Sequence, residues 1–107
     1  MPCKATWNGQ IVAESDACII TEGTLYFPPD SVRQEFLKPS DRRYHCIWKG
    51  DAGYYNLVSG DATVKDAAWH YDKPSKAAEP LKDYVASDEG LGVTVEGSAK
   101  QEIKRPW

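Results

Sequence analysis

Histidine, methionine and paired cysteine are what this chain of 107 residues has least of, with two His, one Met and three Cys. Cys3, Cys18 and Cys46 are odd in number and form no Cys-x-x-Cys spacing. The chain thus lacks both the ligand pattern of a structural zinc site and the even, dense cysteine set of a secreted disulfide framework. No metal ligands are assigned, and the residues name no cofactor. No apolar run reaches transmembrane length and no signal-peptide core follows Met1, so a cytoplasmic protein with reduced thiols and no membrane partner is expected. The Gly-rich phosphate loops Gly-x-x-x-x-Gly-Lys-Ser/Thr and Gly-x-Gly-x-x-Gly are missing, as is the Gly-x-Ser-x-Gly elbow of serine hydrolases. Thirteen Lys and Arg face sixteen Asp and Glu, a net charge of −3, which argues against nucleic acid as the partner.

Turn residues and β-formers are abundant, and the length suits one modest core. Thr6-Trp7 leads into Asn8-Gly9, a strong hairpin dipeptide, and Gln10 to Glu14 continues on the far side. Ala17 to Glu22 and Thr24 to Phe27 read as strands around Glu22-Gly23, with Pro28 ending the second. Pro29, Asp30 and Ser31 supply helix-start chemistry, and Val32, Phe36 and Leu37 fall on one face, so a single short helix is expected before Pro39. Ser40 to Arg43 reads as a charged connector. Tyr44 to Trp48 and Tyr54 to Val58 form a hairpin around Gly50 to Gly53, and Ser59-Gly60-Asp61 is a further turn. Thr63 to Lys65 and Ala67 to Tyr71 follow as two strands or one bent one, then Leu81 to Ala86 and Leu91 to Glu96. A compact β domain over residues 1–96 with a polar tail over 97–107 is the expected organisation.

The window from Tyr44 to Tyr55 holds the densest chemistry. With its loop centred on Asp51-Ala52, Lys49 faces Tyr54, Trp48 faces Tyr55 and Cys46 faces Leu57. Alternation then places Cys46, Trp48, Tyr55 and Leu57 on a core face, with His45, Ile47, Lys49, Tyr54 and Asn56 on the other. His45 and Cys46 point to opposite faces and cannot form a thiolate–imidazolium pair. Cys46 reads as a buried small hydrophobe, with ligand contact as the alternative. Lys49, at the hairpin mouth beside aromatics, suits an anionic ligand group, against the plain reading of a solvated lysine. In the next segment, alternation groups Asp66 with Ala68 and His70, opposite Ala67, Trp69 and Tyr71. Asp66 and His70 lie about 13 Å apart on such a strand, too far to share a proton.

An ordered string of motifs then carries a resemblance: Trp7-Asn8-Gly9 with Ala13-Glu14-Ser15, Leu25-Tyr26-Phe27-Pro28-Pro29-Asp30, and Cys46-Ile47-Trp48-Lys49-Gly50 with Tyr54-Tyr55. Asp66 to Tyr71 with Pro74, and Leu81 to Ala86, complete it. Together they resemble the domain of unknown function 427 family, also labelled nucleotidyltransferase-like, across roughly residues 5 to 95. The resemblance implies a compact mainly β protein of the β-tent type, with several short coiled sheets around one core. The chain departs from the pattern at Ile47, where members often carry Pro. It departs again at Val85-Ala86-Ser87-Asp88, which stands where an Ala-Phe-aromatic sequence is usual.

The functional expectation is a small-ligand-binding domain. Tyr26, Tyr54 and Trp69 would line an aromatic site, while Lys49, with Arg42 or Arg43, would neutralise an anionic group and Cys46 would border the ligand. Asp66 or Glu14 is the candidate general acid or base, and no catalytic residue is assigned. A rival reading makes every aromatic motif core in a non-catalytic interaction module. A third, metal-dependent nucleotidyl transfer, demands clustered carboxylates, yet Gly97-Ser98 is followed by Ala99-Lys100 and not by Asp-x-Asp.

Overall fold

The computed structural model describes residues 2–107 and is built almost wholly from strands and tight turns. Strands β1 (Cys3–Trp7) and β2 (Gln10–Ser15) form the first hairpin. Its loop is Asn8-Gly9, with both residues at positive φ (54° and 74°), the two-residue connection whose twist matches that of the strands. A bulge near Thr6 lets consecutive Val12 and Ala13 both face inward. The same device recurs between β3 (Ile19–Thr21) and β4 (Thr24–Tyr26), joined by Glu22 and Gly23 at φ 51° and 79°.

The short helix expected from Pro29 is instead two 3₁₀ turns, Pro29–Ser31 and Gln34–Phe36. Val32 interrupts them because it bridges to Ala13, and the Arg33 amide donates to the Val12 carbonyl at 2.8 Å. Val32 and Phe36 are still both buried, so the apolar spacing that suggested a helical face is satisfied by two turns hinged on an extended residue.

A long antiparallel sheet follows: β5 (Leu37–Cys46), β6 (Gly50–Ser59), β7 (Ala62–Pro74) and β8 (Val85–Ser87), in that spatial order. Of Ser40 to Arg43, expected as a connector, Ser40 to Arg42 bulge out of β5 itself while Arg43 pairs with Gly53, and Pro39 is accommodated because β5 is an edge strand. The β5–β6 loop differs from expectation. It consists of Ile47, Trp48 and Lys49, with Cys46 paired to Gly50 and Tyr44 to Ala52. Gly50 is not at the tip of this turn. It sits at φ 102° where β6 crosses the end of β7, so close that a Cβ would lie 2.6 Å from the Lys73 carbonyl and the Ser75 amide. The Ser75 amide donates to the Lys49 carbonyl at 2.8 Å, and the Ser75 hydroxyl donates to the Trp48 carbonyl, which fixes the turn.

β7 is one bent strand. Its bend is Asp66, held at φ 55° with its amide donating to Asn56 Oδ1 at 2.9 Å. The bulge there turns both Ala67 and Ala68 into the interior.

β9 (Thr94–Glu96) extends the first hairpin in the order β2-β1-β9. The segment after Gly97, expected as a polar tail, supplies β10 (Gln101–Glu102), which pairs in parallel with β3 and delivers Ile103 into the interior. Trp107, at 69% exposure, does not dock.

The long sheet separates two apolar clusters. On one face Leu57, Ala67 and Ala68 pack with Ala5, Trp7, Val12 and Phe27. On the other Cys46, Ala52, Tyr71 and Ala86 pack with Ile19, Tyr26, Trp48 and Ile103. The domain is therefore mainly β, three small sheets in one unit, with no helix long and apolar enough to cross a membrane among the described residues.

Candidate functional site

At the open edge of the second cluster, β4, the β5 bulge, the Ile47–Lys49 turn and β7 enclose a cavity of about 470 Å³. Tyr26, Arg42, Cys46, Lys49, Tyr54, Asp66 and Trp69 all line it, residues separated in sequence and joined only by the fold.

The floor is Tyr26, Tyr71, Cys46 and Lys49. Tyr26 and Tyr71 are buried, with ring centroids 6.3 Å apart. The Lys49 ammonium lies 5.4 Å from the Trp48 ring, 5.5 Å from Tyr71 and 6.0 Å from Tyr26, within reach of favourable cation–ring attraction. Its ion-pair partner is Glu22, 2.8 Å away on the β3–β4 turn. Burial pulls the Lys49 ammonium toward the neutral form, but the hydrogen bond and charge of Glu22 act against it, and the group is held above its ordinary value. The charged form of Lys49 is thereby favoured. Burial likewise raises the Tyr26 phenol, against the opposing hydrogen bonds of Trp69 and Lys49.

Trp69 and Tyr54 form the wall, paired across β6 and β7 with centroids 6.3 Å apart. The Trp69 indole meets Tyr26 edge-on, and its Nε1–H donates to the Tyr26 hydroxyl at 3.2 Å. Arg42 lies over the Tyr54 ring at 4.8 Å and 3.8 Å from Asp66 Oδ2. The Ser40 hydroxyl donates to the other Asp66 oxygen. Half-exposed Tyr44 and Leu91 rim the mouth.

Asp66 corrects the alternation argument. Its left-handed backbone breaks the two-residue period, so it lines the cavity with Trp69 and Tyr71 and leaves the Ala68–His70 face. Lys49 also departs from the expected register. It is not a solvated residue opposite Tyr54 but a buried one at the end of a three-residue turn. Tyr54 pairs with Trp69 on the neighbouring strand instead.

Two of the expected residues stay outside. Glu14 is exposed on β2 opposite Lys4, on the far hairpin. Arg43 turns to Asp72, bound by both guanidinium nitrogens at 3.0 and 2.9 Å. The Arg43 hydrogen bond holds the Asp72 carboxyl below its usual range. His45 pairs with Asp51 at 2.7 Å on the outer surface. His70 stacks on Tyr55 at 4.6 Å and faces Asp83 at 3.5 Å.

Glu22, Lys65 and Asp88 were not singled out by sequence reasoning, and Tyr71 was assigned to the core alone. Glu22 had one available signal: it precedes Gly23 in a tight turn, which carries its side chain to the end of the sheet. Ser87 borders a separate cleft of about 220 Å³ that Trp69 also lines. Among the described residues no group of three or more His, Cys, Asp or Glu side chains is placed to hold a metal ion, the clustering that metal-dependent nucleotidyl transfer demands.

No curated protein matches the chain significantly. The family described as Domain of unknown function (DUF427) matches residues 2–98, which include every motif singled out above and all of the cavity lining. The chain belongs to that family.

Proposed function

We propose that this domain binds a small planar ligand carrying an anionic group. The ring is seated against Trp69 and Tyr54, and the charge is directed to Lys49. The observation that carries the reading is Lys49 itself, an ammonium on the floor of a concave, aromatic-walled cavity. A buried lysine is costly to keep charged, and a purely structural core at that position would be served by an apolar side chain. Small-molecule sites commonly combine aromatic walls with a few polar groups that fix orientation, and here aromatic and charged side chains share one concavity.

The rival reading, an interaction module whose aromatics are all core, draws support from Trp7, Trp48 and Tyr71, which are buried. It does not account for half-buried Trp69 or for six charged side chains, Glu22, Arg42, Lys49, Lys65, Asp66 and Asp88, around one cavity.

A thermal-shift screen of aromatic carboxylates, nucleotides and sugar phosphates separates the two. A ligand present at a hundredfold excess over its Kd stabilises the native state by about 2.7 kcal/mol. The binding reading expects such a rise for at least one planar anion, and its loss in Trp69→Ala. A flat response of the wild type across the panel favours the interaction module.

A further inference from the structure

Lys49 and Glu22 are unequal partners. The Lys49 side chain is 9% exposed among aromatic rings, whereas the Glu22 side chain is 49% exposed. Glu22 stands on a two-residue turn next to Gly23, where a Cβ would meet nothing within 4 Å. The Glu22 carboxylate borders water, whereas the Lys49 ammonium lies among rings. Among the described residues Glu22 is the one carboxylate within ion-pair distance of Lys49. A buried ammonium needs such a partner, but nothing requires that the partner come from this chain.

We propose that the Glu22 carboxylate is a built-in placeholder for the carboxylate of an external aromatic acid. On binding, the ligand carboxylate takes the position of Glu22 on the Lys49 ammonium, the aromatic ring lies along Trp69 and Tyr54, and Glu22 turns to solvent. This inference rests on the cavity being a ligand site and names the anionic group it takes.

The charges around the cavity select a monoanion. With Glu22 in place, three cations (Arg42, Lys49, Lys65) balance three acids (Glu22, Asp66, Asp88). With Glu22 turned away, three cations face two acids, a surplus of one positive charge. A single carboxylate restores the balance. A phosphate monoester, carrying close to two charges at neutral pH, overshoots it beside Asp66 and Asp88. A neutral amide of the same shape leaves the ammonium without its charge-assisted bond.

Calorimetric titration with 2-naphthoate, 2-naphthyl phosphate and 2-naphthamide tests this on the wild type, Glu22→Gly, Glu22→Gln and Lys49→Met. Glycine suits position 22 because the backbone there has φ 51°. The wild type is expected to prefer 2-naphthoate to both other probes. Glu22→Gly is expected to melt lower without ligand yet bind 2-naphthoate about tenfold tighter, and Glu22→Gln to shift in the same direction by less. Loss of stability with gain of affinity is a signature that a merely structural Glu22 does not produce. Lys49→Met is expected to bind the carboxylate no better than the amide. Binding by the wild type with equal or weaker binding by both Glu22 variants overturns the placeholder and leaves the ligand site standing. Preference for the phosphate overturns the anion class. Failure of every probe on the wild type and on both Glu22 variants overturns the ligand site and the placeholder with it.

Discussion

Gly50 and Lys49, adjacent in the chain, show how one residue's constraint creates another's chemistry. Gly50 has to be glycine because the backbone of Lys73 to Ser75 crosses it and because its φ is 102°. That crossing fixes the Ile47–Lys49 turn and presses Lys49 inward while Ile47, at 76% exposure, is left in water. Gly50→Ala is expected to lower stability by about 2–3 kcal/mol in urea unfolding, since the neighbours a Cβ meets are backbone atoms with little room to shift. It is also expected to weaken ligand binding, because the turn carrying Lys49 moves with it. At this scale the sequence was readable in part. Lys49, Trp69, Tyr54 and Tyr26, singled out for their chemistry and their place in the motifs, line one cavity. The burial of Lys49 could not be read, because it follows from a strand register that local spacing does not determine.

Among the elements, the tight hairpins were the most legible. Asn8-Gly9, Glu22-Gly23 and Gly60-Asp61 each close a two-residue loop, and a glycine takes positive φ in every one, joined by Asn8 in the first and, against its propensity, by Glu22 in the second. Bulges were not legible. Asp66 at φ 55° and the Ser40–Arg42 excursion each depend on a distant partner, Asn56 in the first case and the mismatched pairing of β5 with β6 in the second. The 3₁₀ turns near Phe36 resemble a helix in sequence because an apolar spacing of four suits either, and the Val32–Ala13 bridge decides between them. The pairing of β10 with β3 was also hidden, since two residues of strand carry almost no pattern. Ile103, just after β10, is buried in the second cluster and its amide donates to the Ile20 carbonyl at 3.0 Å. Ile103→Ala is expected to cost about 2 kcal/mol in chemical denaturation and to speed amide exchange in β3, a pairing that a frayed tail would not protect.

For the molecule as a whole, one bent sheet with a core on each face leaves a cavity of about 470 Å³ where the second core meets the β5 bulge. Two ion pairs, Lys49–Glu22 at that cavity and Arg43–Asp72 outside it, tie the fold to pH. The Lys49 hydrogen bond pulls the Glu22 carboxyl below its ordinary 4.5, and the Arg43 fork pulls Asp72 below 3.8, in each case against a smaller opposing effect of burial. A carboxylate depressed in the folded state stabilises the fold above its unfolded value, and that contribution fades as pH falls through the lower folded value. Urea midpoints are therefore expected to hold steady down to about pH 5 and then decline, with a shallower decline in Lys49→Met and Arg43→Met. A decline unchanged in both variants places the acid sensitivity elsewhere. The most direct test of the ligand site is nitrogen-15 amide and indole mapping of the wild type titrated with 2-naphthoate. The Trp69 indole N–H, hydrogen-bonded to Tyr26 at the cavity wall, and the amides of Lys49 and Tyr54 are expected to shift together, while the Trp7 indole in the opposite core stays fixed. Shifts centred on the β1–β2 hairpin near Glu14, or none at Trp69, would contradict it.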